Sequence, residues 1–232
     1  MHDGAINFKM AELNSRRKFF FMSDVLSKIS AYSILIPIVV GLLYFRQFDK
    51  NARIMFFLIL LAGMPQLAYG FFPEPKYNAF NLTLRNCYSL ADPLVWSILF
   101  FRNISNKKLR KLVAVIPFAQ VVLWLYLVSI KKIDHVLFKE MICATSVIQV
   151  LWVTVYFYEQ YKSYEISRIE IKPLFWFCLG ILIYAPTTYF LFVFYDQIHD
   201  PNSKNYSLWN IHSVINALMY CIISVGFWVN KK

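Results

Sequence analysis

Charge is the scarcest commodity in this chain: of 232 residues only 16% are Asp, Glu, Lys or Arg, where a soluble domain carries about a quarter. The hydrophobic share is 59% and the aromatic share 19%. A single water-soluble domain of this size cannot hide so much apolar side chain, because its surface must be covered largely by polar groups. The composition therefore specifies a polytopic membrane protein. It excludes a soluble enzyme, a nucleic-acid-binding module and a disordered chain. The formal charge of +11 becomes a matter of loop placement.

Other absences narrow the chemistry. There are 4 cysteines, Cys87, Cys143, Cys178 and Cys221, all within apolar stretches and none in a C-x-x-C pair, which leaves no disulfide framework or zinc knuckle. They read as small residues filling helix contacts. No Ser-His-Asp order, P-loop or dinucleotide fingerprint occurs. The last apolar stretch has no lysine, which excludes a retinal Schiff base. Of the 4 histidines only His212 falls in an apolar stretch, whereas a catalytic zinc needs about three protein ligands. Pro65-Gln66 resembles the Pro-Gln pair of seven-span sugar and amino-acid carriers, but those carry it in both halves and here it occurs once. The expectation is no cofactor, no metal and no catalytic residue.

A helix needs about 20 mainly apolar residues to cross a bilayer. Seven such runs appear, at about 29–45, 54–72, 86–101, 112–130, 141–158, 174–195 and 208–229. The predicted fold is all-α: a single seven-helix transmembrane bundle over 29–230, preceded by a tail at 1–28. The third run is the shortest and contains Asp92. In the tail, Ile6, Met10, Leu13, Phe19, Met22 and Leu26 suit either an interfacial amphipathic helix or a disordered segment. Arg16, Arg17 and Lys18 precede too short an apolar run for a cleavable signal.

Lys and Arg near span ends set orientation. Loops one-two, three-four and five-six with the C-terminus hold 13 of them, against 6 on the other side. This places the C-terminus in the cytoplasm and the N-terminus outside. The tail's Lys9, Arg16, Arg17, Lys18 and Lys28 oppose that orientation, and a start at Met22 would remove four of the five. The basic run RNISNKKLRK, between spans three and four, reads as a topology determinant in contact with anionic lipid.

Ionisable groups at membrane depth are costly and mark function. Asp92 stands mid-span, directly before Pro93, with Tyr88 one turn earlier on the same face. Span seven repeats polar groups every three or four residues at Trp209, His212, Asn216 and Tyr220. Span five has Thr145, Gln149, Trp152, Tyr156 and Glu159; span six has Tyr184 and Thr188 around Pro186; span two has Gln66. The ligand-binding set expected from this pattern is Asp92, Tyr88, His212 and Asn216, with Gln66, Gln149, Tyr156 and Tyr184 around it. An unpartnered acid mid-span costs about 2.5–3.5 kcal/mol on the insertion scale, so a partner is expected, and His212 is the candidate. A carboxylate and an imidazole beside Tyr and Trp suit a small amphipathic or cationic ligand.

The stretches YSILIPIVVGLLYFRQF, RNCYSLADPLVWSILFF, VTVYFYEQY, PLFWFCLGILIYAPTTYFLFVFYD and LWNIHSVINALMYCIISVGFW resemble a family of small, uncharacterised seven-span inner-membrane proteins of Bacteroidota bacteria. The similarity runs from Met22 onward and is most specific at Tyr88 to Asp92 and at Trp209, His212 and Asn216. That family more often has Glu at the Asp92 position and differs after Tyr184. The resemblance implies fold and an inner-membrane location, and carries no activity. Three functions stay open: a receptor-like protein signalling to a separate membrane partner or a second copy of itself, a proton-coupled transporter using Asp92, and an intramembrane enzyme. Lipids and a membrane-embedded protein are the expected partners, with no nucleic acid. Reporter fusions at Lys232 and within the loop between spans three and four should both read cytoplasmic; an external reading at either would overturn the orientation.

Overall fold

The computed structural model describes residues 22–72, 75–162, 169–198 and 207–230, and among them all regular structure is helical. Seven long helices follow one another: α1 Met22–Gln47, α2 Lys50–Phe71, α3 Asn78–Asn103, α4 Lys107–Ile130, α5 Lys139–Lys162, α6 Pro173–Val193 and α7 Leu208–Val229. Their starts are locally encoded. Asp49 caps α2 by accepting from the Ala52 amide at 2.7 Å, and Asn106 caps α4 by accepting from Lys108 and Leu109. Pro173 opens α6, where its missing N–H is no loss.

Six of the seven, all except α3, are long and apolar enough to cross a membrane. The seven-run expectation is therefore met at the coarser level of a multi-pass, all-helical chain. Helix α3, at 26 residues as long as α1, falls short because polar side chains such as Asn81, Arg85, Asn86 and Asp92 interrupt its first two thirds. Two boundaries also move. Residues 22–28, expected in the tail, are helical and continuous with α1, while the rest of the tail lies outside the described residues. Helix α3 begins at Asn78, which puts Arg85 inside a helix where the sequence pattern had placed it in a loop.

Helices α1, α2, α3, α5, α6 and α7 close a ring in which α1 packs on α2 and α7, α2 on α3, α3 on α5, α5 on α6 and α6 on α7. Helix α4 lies outside this ring against α3 and α5. Its polar content explains the position: Gln120 is its one buried polar side chain, while Phe118 stands 73% exposed. The whole bundle has this inverted character. Asn86, Gln149 and Asn216 are buried, and Leu42, Leu43 and Val122 are exposed. Such a distribution suits an apolar solvent.

One end of the bundle is packed with aromatic rings. Phe227 of α7 stacks on Phe48 at 5.0 Å and meets Phe177 of α6 edge-on at 5.2 Å, with Phe56 of α2 also in contact. At Gly226 a Cβ would come within 2.6 Å of the Phe177 ring, so glycine permits this close approach of α6 and α7. The same end carries Asn51 and Asn103, paired between α2 and α3 at 3.0 Å. Glu159 there accepts from the amides of Ser105 and Asn106, holding the α3–α4 turn to α5.

At the other end a single side chain organises the α4–α5 connection. Asn86 is fully buried; its amide donates to the carbonyls of Ile133 and Val136, both at 2.8 Å, and its oxygen accepts from the Phe138 amide at 2.9 Å. Its own carbonyl accepts from the Trp124 indole. Replacing Asn86 by Ala strands three backbone groups and should cost about 2–3 kcal/mol. Thermal unfolding in detergent is expected to show a clearly lowered Tm for Asn86→Ala. Ser129→Ala, at an exposed hydroxyl that bonds only its own helix, should leave Tm unchanged; equal effects would refute the assignment.

Candidate functional site

Between the ring helices lies a cavity of about 260 Å³, lined by every ring helix and by no residue of α4. It occupies the half of the bundle that holds the start of α1 and the α2–α3 turn, opposite the aromatic end. Helical periodicity brings its walls together. Arg85, Tyr88, Ser89, Asp92 and Trp96 recur along one face of α3, and Trp209, His212, Ser213, Asn216 and Tyr220 along one face of α7. Ile142, Thr145, Ser146 and Gln149 supply the α5 wall, and Tyr184 and Thr188 the α6 wall.

Asp92 is the acid of the site. Its carboxylate accepts from the Gln149 amide of α5 at 2.8 Å and from the Tyr88 hydroxyl of α3 at 3.3 Å, with the Trp96 indole also in reach. All of these donors are neutral. A carboxylate has about four acceptor positions, so the contacts leave it able to take another donor. The expected partner, His212, lines the same cavity but forms no ion pair with Asp92 among the described residues. Neutral donors on α3 and α5 meet the acid's need instead.

His212 sits in an aromatic setting. Its ring lies 5.2 Å from Trp209, 5.7 Å from Tyr184 and 6.1 Å from Phe192. Its Nδ1 is buried without a hydrogen-bond partner. A buried polar atom left in this condition is destabilising unless another group, such as a ligand, serves it.

The opposite wall is a self-satisfied network centred on Ser30 of α1. Asn216 donates to the Ser30 hydroxyl at 2.9 Å, and Gln66 donates to the Ser30 carbonyl at 2.9 Å. Gln66 in turn accepts from the Tyr220 hydroxyl at 2.7 Å. These bonds join α1, α2 and α7 and leave few polar groups unused. Nearer the start of both helices Ser23 donates to Asn210 at 2.7 Å, adding a second α1–α7 tie.

Seven of the eight residues expected from sequence line the cavity: Asp92, Tyr88, His212, Asn216, Gln66, Gln149 and Tyr184. Tyr156 does not. It continues the α5 stripe two turns beyond Gln149, about 10 Å along the helix, and there it is 2% exposed within the apolar core. The stripe is continuous in sequence, but on α5 the cavity lining ends at Gln149, and Tyr156 packs in the buried cluster that also holds Trp96, Phe177 and Phe227. Conversely, Arg85 and Ser30 belong to the lining without having been anticipated. Arg85 was legible in principle, since it stands seven residues before Asp92 and so on the same face. Ser30 gave no signal of its own.

Among the described residues no group of three or more His, Cys, Asp or Glu is placed to hold a metal ion. Set against models of known protein families, curated proteins and solved structures, the chain matches none of them.

Proposed function

We propose that this chain is a seven-span protein of a bacterial inner membrane, with α3 as the seventh span, that binds a small solute in the cavity and acts as a receptor-like component. The resemblance of its Tyr88-to-Asp92 and Trp209-to-Asn216 segments to a seven-span inner-membrane family agrees with this. A span as polar as α3 is tolerable in lipid when neighbouring helices surround it, and α2, α4 and α5 do.

The observation that carries the binding reading is the state of Asp92. A carboxylate held mid-bundle by neutral donors, with acceptor capacity to spare and lining a cavity, is more than helix packing requires. The receptor reading draws on the closed half of the bundle. The rings of Phe48, Phe56, Phe177 and Phe227 pack against one another at the end away from the cavity, which favours transmission of occupancy through helix positions over passage of the solute. In this account the signal passes from α6 and α7 to a separate membrane-embedded partner.

A second reading, a proton-coupled carrier, is favoured by the same neutral donors, since an acid without a cation can exchange its proton without breaking an ion pair. The two are separable. In proteoliposomes carrying a pH gradient, the receptor account expects solute-dependent thermal stabilisation of the protein and no solute flux. Uptake that follows the pH gradient and disappears in Asp92→Asn would establish the carrier and overturn the receptor reading.

A further inference from the structure

The surroundings of Asp92 also specify the charge of what the cavity takes. Three tyrosines from three helices, Tyr88 of α3, Tyr184 of α6 and Tyr220 of α7, line the cavity within electrostatic range of this one carboxylate. Two of the three hydroxyls are already engaged: Tyr88 donates to Asp92, and Tyr220 donates to Gln66. These two bonds hold Tyr88 and Tyr220 in place, and all three tyrosines share the cavity wall with the carboxylate. A carboxylate with acceptor capacity to spare, ringed by aromatic groups, is matched by a cation whose charge is spread over carbon-bound hydrogens. The second ionisable group on the α3 face is Arg85, two turns and about 10 Å of helix away, which itself engages another group. The positive end of a ligand is therefore drawn to the Asp92 end of the cavity, away from Arg85.

We infer that the cavity binds a small organic ammonium compound, with its cationic nitrogen at the Asp92 carboxylate inside the Tyr88, Tyr184 and Tyr220 rings. This rests on the reading of the cavity as a binding site and adds the chemical class of the ligand. A cavity of about 260 Å³ accommodates a quaternary or tertiary ammonium head with a short substituent.

The test uses three probes of nearly one shape on the purified full chain in detergent, followed by thermal unfolding and calorimetric titration. Choline is the cation, 3,3-dimethylbutan-1-ol is its neutral carbon isostere and 3,3-dimethylbutyrate is the anion, with sodium chloride matching ionic strength. Choline should stabilise the protein in a saturable way, the alcohol should not, and Asp92→Asn should weaken choline by about tenfold or more. Tyr184→Leu keeps the carboxylate and removes one ring; it should weaken choline several-fold and supplies the answer if Asp92→Asn does not fold. Equal binding of the alcohol, or binding of the anion alone, overturns the ammonium assignment while leaving a binding cavity. Choline binding unchanged by Asp92→Asn also overturns it. Silence from all three probes overturns both the assignment and the binding reading beneath it.

Discussion

The buried polar groups of α3, Asn86 and Asp92 above all, find their partners inside the bundle, and much of the architecture follows from that requirement. In hydrocarbon an unsatisfied donor or acceptor costs several kcal/mol, so a helix with this polarity is stable only when enclosed. Three of its side chains do the enclosing at three heights. Asn103 ties it to Asn51 of α2 at one end, Asp92 to Gln149 of α5 in the middle, and Asn86 to the α4–α5 connection at the other end. Helices α2, α4 and α5 are thus gathered around α3 by specific bonds. A second set of polar bonds around Ser30 joins α1, α2 and α7, and apolar or aromatic packing supplies the close fit elsewhere.

The bundle is divided along its length. The half with the aromatic cluster is packed without space, and at Gly226 even one extra carbon would collide with Phe177. In the other half, serine, glutamine and asparagine replace bulk, and a cavity remains. Its two walls differ in kind. The Ser30, Gln66, Asn216 and Tyr220 network satisfies itself and serves to fix α1, α2 and α7, whereas Asp92 and His212 retain unused polar capacity.

Much of this was legible in the sequence, and the failures have physical causes. Apolar runs located every long helix, because a helix that meets lipid must be apolar along most of its length. They misplaced the start of α3, since an enclosed helix has no such obligation, and Arg85 was lost with it. Periodicity identified the inward faces of α5 and α7 correctly. It did not reveal how far the cavity extends, because the packing of Trp96, Phe177 and Phe227 from three other helices is not legible along α5, and so Tyr156 lies outside the lining. The pairing of Asp92 with His212 followed from charge alone. Gln149, a neutral residue on a neighbouring helix, was the donor closer to hand, and sequence spacing carries no information about distances between helices.

The most direct test of the account is the chemical accessibility of two adjacent positions on α7. Ser213 lines the cavity, whereas Val214 is 52% exposed on the outer face. In lipid nanodiscs, with the four native cysteines replaced, Ser213→Cys and Val214→Cys can be treated with a positively charged thiosulfonate that reacts only with ionised thiols. A water-accessible polar cavity enclosed by helices that face lipid predicts rapid modification of Ser213→Cys and none of Val214→Cys. The reverse order of reactivity would contradict it.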